Sequence, residues 1–451
     1  MEESKLGVMP IPKLLASMSF PMMISFFIQA LYNIVDSMFV AQISEQALTA
    51  VSLAYPMQQV ANAIAVGLGV GMSALMPRFA GTGNMDKANR TAHVGIFLNM
   101  IFYLIFLILG LTAVHAIYAF QTDVEEIVNL GTIYLTICWC VSIGVFSGQY
   151  FEKMLVANGN AMYAMIAQAS GAVFNIVFDP LLIFGIGPFP QLGIAGAAWA
   201  TVMGQIVGAL VGITMNMRKN TWVHFRLKDI HYDHEIAGQI FQIGLPSMIT
   251  IGLNSLTSFF VNIILLGYST TAAAVYGIWI KLQNFCFMPL FGLNNGMIPI
   301  LSYNQAQNKI DRVRTTNRLA TVFALIWMII LTVVLELYPG SVLHLFNASD
   351  HMMAIGLPAM RCCVASLIFG GICIVRSTMM QALDHAQYTL ILNILRQFVI
   401  IVSAFYILSK MTDQLALVWL AVPITEVICF VIAAIFYRRM VNDLERGTNE
   451  L

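Results

Sequence analysis

Twelve apolar runs, each long enough to cross a bilayer, constrain this chain more than any other feature of its sequence. At about 20 apolar residues per crossing, they fall at residues 14–42, 48–76, 92–115, 127–150, 161–187, 193–217, 237–266, 272–301, 318–338, 352–376, 387–409 and 415–437. A backbone in lipid must satisfy its own hydrogen bonds, so runs of this length predict helices. Hydrophobic residues make up 59% of the chain and charged residues 10%. A soluble domain carries roughly 25% charge, so most of this surface faces lipid. The expected fold is an all-α integral membrane protein with twelve transmembrane helices. The first run contains Pro21 and lacks a small-residue cleavage site, so it reads as a retained helix.

An even number of crossings puts both termini on one side, and the basic residues say which. Lys5, Lys13, Arg78, Lys87, Arg90, Lys153, Arg218, Lys219, Arg226, Lys228, Lys309, Arg312, Arg314, Arg318, Arg438, Arg439 and Arg446 all fall to the terminal side, and only Lys410 lies in an opposite loop. Both termini are therefore expected in the cytoplasm.

The polar connector 218–236 (RKNTWVHFRLKDIHYDHEI) separates an N-terminal lobe, 1–217, from a C-terminal lobe, 237–451. The lobes match at a nearly constant offset. Pro21 falls on Pro246, Gly67 on Gly292, Gly71-Met72 on Gly296-Met297, Asp86 on Asp311, Gly131 on Gly356, Ala157 on Ala382, Ala161 on Ala386 and Tyr163 on Tyr388. With six helices each, the halves share one orientation, as in a parallel repeat about an axis normal to the membrane. Two six-helix lobes facing a central cleft follow.

The stretch LYNIVDSMFVAQ places Asp36 inside the first run, with Asn33 three residues earlier on the same face. A charge at the bilayer centre costs at least about 2.5–3.5 kcal/mol, so such an acid is expected to be paired, protonated or ion-bound. AVFNIVFDPLLIFG repeats the theme with Asn175 and Asp179 four apart, followed by Pro180. At about 1.5 Å per residue, Asp36 and Asp179 lie roughly 9–12 Å below the outer ends of their helices, level with Tyr134 and Thr201 on inward-running helices. Their hard oxygens suit Na⁺, and two close acids equally suit a shared proton. The repeat places Val261, Ile400 and Ala404 opposite Asp36, Asn175 and Asp179, which confines the ion chemistry to the first half. Pro21 and Pro180 each remove a backbone donor and are expected hinges.

The seven cysteines lie in apolar runs without metal-type spacing and read as inert buried thiols. His231, His234 and Glu235 read as a solvated loop, and the 28 methionines mainly as helix packing. No intramembrane His–acid pair, serine elbow or ligand cluster supports an enzyme. Nor does a self-paired repeat resemble one subunit of a pore ring.

The chain resembles the multidrug and toxic compound extrusion transporters, a branch of the multidrug/oligosaccharidyl-lipid/polysaccharide flippase superfamily. The resemblance covers nearly the whole chain. It rests on Phe20-Pro21, N-x-x-D-x-x-F-V from Asn33 to Val40, GLGVGMSALMPRFAGTGN before Met85, N-x-x-x-D-P from Asn175 to Pro180, and P-x-L-S-Y-N from Pro299 to Asn304. It implies a prokaryotic cell-membrane antiporter, working as a monomer without cofactor or nucleic acid, that expels small drug-like organic compounds against H⁺ or Na⁺. It also implies that Asp36, Asn175, Asp179, Tyr134 and Thr201 form the N-lobe cation site. Some relatives carry a second site in helices seven and ten, but residues 237–266 and 352–376 here contain no Asp or Glu.

Lys281, Tyr55 and Tyr276 are expected to line the substrate cleft. Lys281, Arg396 and Glu426 lie near one depth, and the expectation is that Glu426 pairs with Arg396 and leaves Lys281 facing the cleft. The competing reading is a lipid-linked saccharide flippase, for which Lys281, Arg361, Arg376 and Arg396 would receive pyrophosphate.

Overall fold

The computed structural model describes residues 4–223, 230–345 and 349–449, and every regular element among them is a helix. Arg226 and Lys228, and the side chain of Arg446, lie outside the described residues. The first half comprises α1 (Ile11–Ala41), α2 (Glu45–Gly81), α3 (Met85–Thr112), α4 (Glu125–Cys140 with Ile143–Ala157), α5 (Ala161–Phe184) and α6 (Ile194–Lys219). The second comprises α7 (His234–Leu266), α8 (Thr270–Ala306), α9 (Ile310–Leu337), α10 (Asp350–Val364 with Leu367–Ala382), α11 (Ala386–Met411) and α12 (Leu415–Val418, then Ala421–Asn449). Among the described residues ten helices are long and apolar enough to cross a membrane, and there are twelve spans when α4 and α10, each bent by 45° at a break, count as one apiece.

The repeat holds down to element ends. Residues 45 and 270 start α2 and α8, 85 and 310 start α3 and α9, and 161 and 386 start α5 and α11, always at the same offset. Short helices Val114–Gln121 and Pro339–Leu345 follow α3 and α9 at that offset too. Even the caps repeat: the Ser44 hydroxyl accepts from the Ala47 amide at 3.0 Å, and Ser269 accepts from Ala272 at 3.0 Å. Each satisfies a donor that a helix start leaves orphaned.

Two expectations need correction. The runs 127–150 and 352–376 are not continuous helices. They break at Val141-Ser142 and Ala365-Ser366, where the Ser366 hydroxyl donates to the Cys363 carbonyl at 2.6 Å and offers the backbone a local alternative to the helical ladder. Neither break contains proline, whereas α1 and α5 run through Pro21 and Pro180. The second correction concerns Lys153, which is not a loop charge but lies at 4% exposure inside α4.

The halves meet by exchanging neighbours: α1 packs along α8, and α2 along α7. Repeat-related glycines permit both crossings. A Cβ at Gly71 would lie 2.2 Å from the Ile240 carbonyl oxygen, and one at Gly296 would lie 2.8 Å from the Ser19 nitrogen, so backbone meets backbone only without a side chain there.

Polar bonds between the halves gather at the end of the bundle that carries the chain termini. Arg78 pairs with Asp384 and donates to the Ala382 carbonyl at 3.2 Å. The segment before α1 is stapled to the other half, with the Leu6 carbonyl accepting from Asn304 at 2.9 Å and from Arg312 at 3.0 Å, and the Met9 carbonyl accepting from Arg312 at 2.8 Å. Toward the far end no polar side-chain bond joins the halves among the described residues. Tyr55 is 57% exposed, Lys281 is exposed, and a Cβ at Gly277 would meet nothing within 4 Å. The halves are therefore fastened to each other at the termini end.

Candidate functional site

The packing of α1 along α5 brings the carboxyl groups of Asp36 and Asp179 within hydrogen-bond reach of each other. Such a contact holds only with a proton or cation between the oxygens, because two bare negative charges repel. Asp179 is fully buried and Asn175 nearly so. The Asn175 amide donates to Asp179 Oδ1 at 3.4 Å and to Thr201 Oγ1 at 3.4 Å. This bridge depends on a close α5–α6 crossing, since a Cβ at Gly171 would lie 2.6 Å from the Gly204 carbonyl oxygen, and one at Gly204 would lie 2.7 Å from that of Gly171.

Asp36 Oδ1, Asp179 Oδ2 and Asn175 Oδ1 are buried without a hydrogen-bond partner. Buried acceptors are rarely left unsatisfied. Three of them on neighbouring side chains, beside the Thr201 hydroxyl, form a hard-oxygen set suited to Na⁺ or a shared proton rather than to a soft transition metal. Among the described residues no cluster of three or more His, Cys, Asp or Glu converges.

Tyr134, on α4, is buried at 2% exposure and lies close to the Gln58 side chain and to both acids. Gln58 also donates to Cys138 Sγ at 3.2 Å. Tyr32 lies beside both acids, Tyr55 and Gln29. Sequence reasoning missed Tyr32 and Gln58. Tyr32 adjoins Asn33 inside the N-x-x-D stretch, which is the only signal it offered, and Gln58 offered none.

Asn33 is not brought to the carboxylates. It is exposed, and its backbone carbonyl accepts from the Ser37 hydroxyl at 2.8 Å. Tyr276 is a correction to the cleft set, because at 3% exposure it belongs to the second half's core, edge-on to Phe405 at 5.9 Å. Five residues along a helix turn the direction by about 140°, so Tyr276 and Lys281 cannot share a face. Lys281 stays exposed, with no ion pair among the described residues. Arg396 instead grips Glu426 through two parallel bonds, Nε to Oε2 at 2.8 Å and Nη2 to Oε1 at 2.7 Å. A π-helical turn at Leu395–Val399 carries this arginine, and Arg376 lies over the Phe430 ring at 4.8 Å.

The MatE family model matches residues 21–181 and again residues 246–407. The chain belongs to the MatE family. The two matches begin 225 residues apart, at the two repeat-related prolines, and each covers one half of the family fold. Over 433 residues the chain is 26% identical to the multidrug export protein MepA of Staphylococcus haemolyticus (strain JCSC1435), covering 96% of this chain and 94% of that protein. It is 24% identical to MepA of Staphylococcus aureus (strain MRSA252), covering 98% and 97%. Among solved structures, a MATE in complex with MaL6 superposes with a TM-score of 0.91 at 24% identity, covering 99% of this chain and 100% of that one. An outward-facing multidrug resistance MATE family transporter of the MOP superfamily gives 0.91 at 25%, covering 99% of both. This is a multi-pass membrane protein with the family's fold of two parallel repeats.

Proposed function

We propose that this protein is a secondary antiporter that exports drug-like organic compounds, alternating between two lobes, 1–217 and 237–451, with the connector 218–236 and both termini in the cytoplasm. The observation that carries this reading is the convergence of three unpartnered buried oxygens, from Asp36, Asn175 and Asp179, in one of two halves fastened to each other at the termini end. With the termini inside, a cleft between the halves opens outward. The names of its staphylococcal relatives support a multidrug substrate range.

A coupling ion drives transport only through unequal affinity for the two states, and exchange requires that ion and substrate oppose one another. The bound cation, H⁺ or Na⁺, would supply positive charge between the carboxyl groups. Asp36 and Asp179 would hold it, Asn175 and Thr201 would orient the donor set, and Tyr134 with Gln58 would exclude water beside it. Pro21 and Pro180 leave the Ser17 and Ile176 carbonyls without helical donors and serve as the hinges by which α1 and α5 respond. On the opposite wall Lys281 disfavours strongly cationic compounds.

The flippase alternative gains nothing from Arg396, whose charge Glu426 already neutralises. Substrate flux in proteoliposomes with independently imposed pH and sodium gradients tests the proposal. Uphill transport driven by one gradient is expected, and equal flux with either, both or neither gradient would overturn it.

A further inference from the structure

The glycine-rich stretch of α2 holds a residue that the crossing with α7 does not explain. Gly67 and Gly71 face α7, but a Cβ at Gly69 would lie 2.7 Å from Lys153 Cγ and 3.2 Å from Lys153 Cβ. Gly69 therefore makes room for a lysine stem from α4. That lysine is only 4% exposed, and its Nζ donates to Asn295 Oδ1 of α8, in the other half, at 2.6 Å. Its neighbour Glu152, 8% exposed, holds its Oε1 at 3.5 Å from the same Nζ. Asn295 is fixed in turn by donating its amide to the Phe291 carbonyl at 2.8 Å.

The ammonium thus has one partner that travels with it and one that does not. Glu152 belongs to the same helix and stays beside Lys153 however the halves move. Asn295 belongs to α8 of the other half, so separating α4 from α8 would break this bond. A buried charge that loses a hydrogen bond is destabilised unless water or another acceptor replaces it.

We infer that Lys153 and Asn295 are positioning residues that hold the termini end of the cleft shut, with Glu152 retaining the ammonium when the halves part and Gly69 providing the space. This lock sits apart from the Asp36–Asp179 site and touches neither substrate nor coupling ion. It rests on the two-lobe transport reading above, but its test requires no transport.

Spin labels at the repeat-related positions Asp86→Cys and Asp311→Cys, on a background with the native cysteines replaced, report the separation of the halves at the termini end in lipid nanodiscs without substrate. Lys153→Met and Asn295→Leu should each raise the ratio of wide to narrow separations about tenfold, as expected for one lost charge-assisted hydrogen bond. The double variant should be no wider than either single one. Gly69→Ala, which keeps both polar partners but displaces the lysine stem, should shift the ratio the same way. Lys153→Arg should restore the narrow population. Asn295→Asp, which adds an attractive charge, should narrow the distribution, an outcome that loosened folding cannot produce. Unchanged distributions in folded Lys153→Met and Asn295→Leu proteins, or additive widening in the double variant, overturn the lock. Widening in a protein that exports nothing leaves the lock standing and defeats the transport reading instead.

Discussion

Asp36 and Asp179 touch in a region where a single charge is already expensive, so each is expected to be indispensable for coupling and dispensable for folding. Asp36→Asn keeps the side-chain volume but cannot exchange a proton or neutralise a cation. Gradient-driven export should fall at least about a hundredfold, with elution and thermal unfolding near those of the parent. Asp179→Asn should behave alike, and a double variant that still concentrates substrate would exclude this site. The Arg396–Glu426 pair predicts the reverse: Glu426→Gln strands a buried guanidinium and should destabilise by about 3–5 kcal/mol, whereas the paired Arg396→Met/Glu426→Met change should cost much less, as thermal unfolding in detergent can show. Lys281→Gln should raise transport of cationic relative to anionic substrates several-fold, and unchanged ratios across a charge series would remove it from substrate selection. These residues were legible because a charge in an apolar run demands a partner. Tyr32, Gln58 and Tyr276 were harder, since tyrosine and glutamine are tolerated in core and cleft alike and only helix rotation distinguishes the two.

At the scale of elements, the candidate site depends on how closely α5 and α6 approach. Gly204→Val would drive a branched side chain into the Gly171 carbonyl, 2.7 Å from the added Cβ, and push Thr201 away from Asn175. Coupled transport should be lost, with stability lowered by about 1–3 kcal/mol for overpacking. Gly238→Ala, where the added Cβ meets nothing within 4 Å, should be neutral or stabilise α7 by up to about 1 kcal/mol. Flux and thermal unfolding measured on both variants separate close approach from a general intolerance of glycine replacement. The sequence showed the runs, their order and their repeat, because length and apolarity are written residue by residue. It did not show the bends in α4 and α10, where no proline marks the break and, in α10, a serine hydroxyl takes up a carbonyl of the preceding turn. Prolines pointed instead to α1 and α5, which remain helical through them.

For the whole molecule, the end at which the halves are fastened is the end carrying both termini, so orientation in the membrane decides whether a cleft between them faces outward or inward. The basic residues argue for termini inside, since Lys and Arg accumulate in cytoplasmic loops while acids count little. The structure adds that several of these charges also fasten the halves, Arg78 to Asp384 and Arg312 to Leu6 and Met9, and that Lys153 is buried. Orientation thus rests on the exposed remainder, among them Lys13, Arg90, Arg314, Arg318 and Arg439. Single cysteines at Thr82→Cys, in the exposed loop after α2, and at Thr122→Cys, in the loop before α4, sample opposite ends on a background with the native thiols replaced. A membrane-impermeant maleimide applied to intact cells should label Thr122→Cys at once and Thr82→Cys only after permeabilisation. The inverse pattern would put the fastened end outside, turn the cleft toward the cytoplasm and reverse the direction in which a coupling gradient could drive substrate.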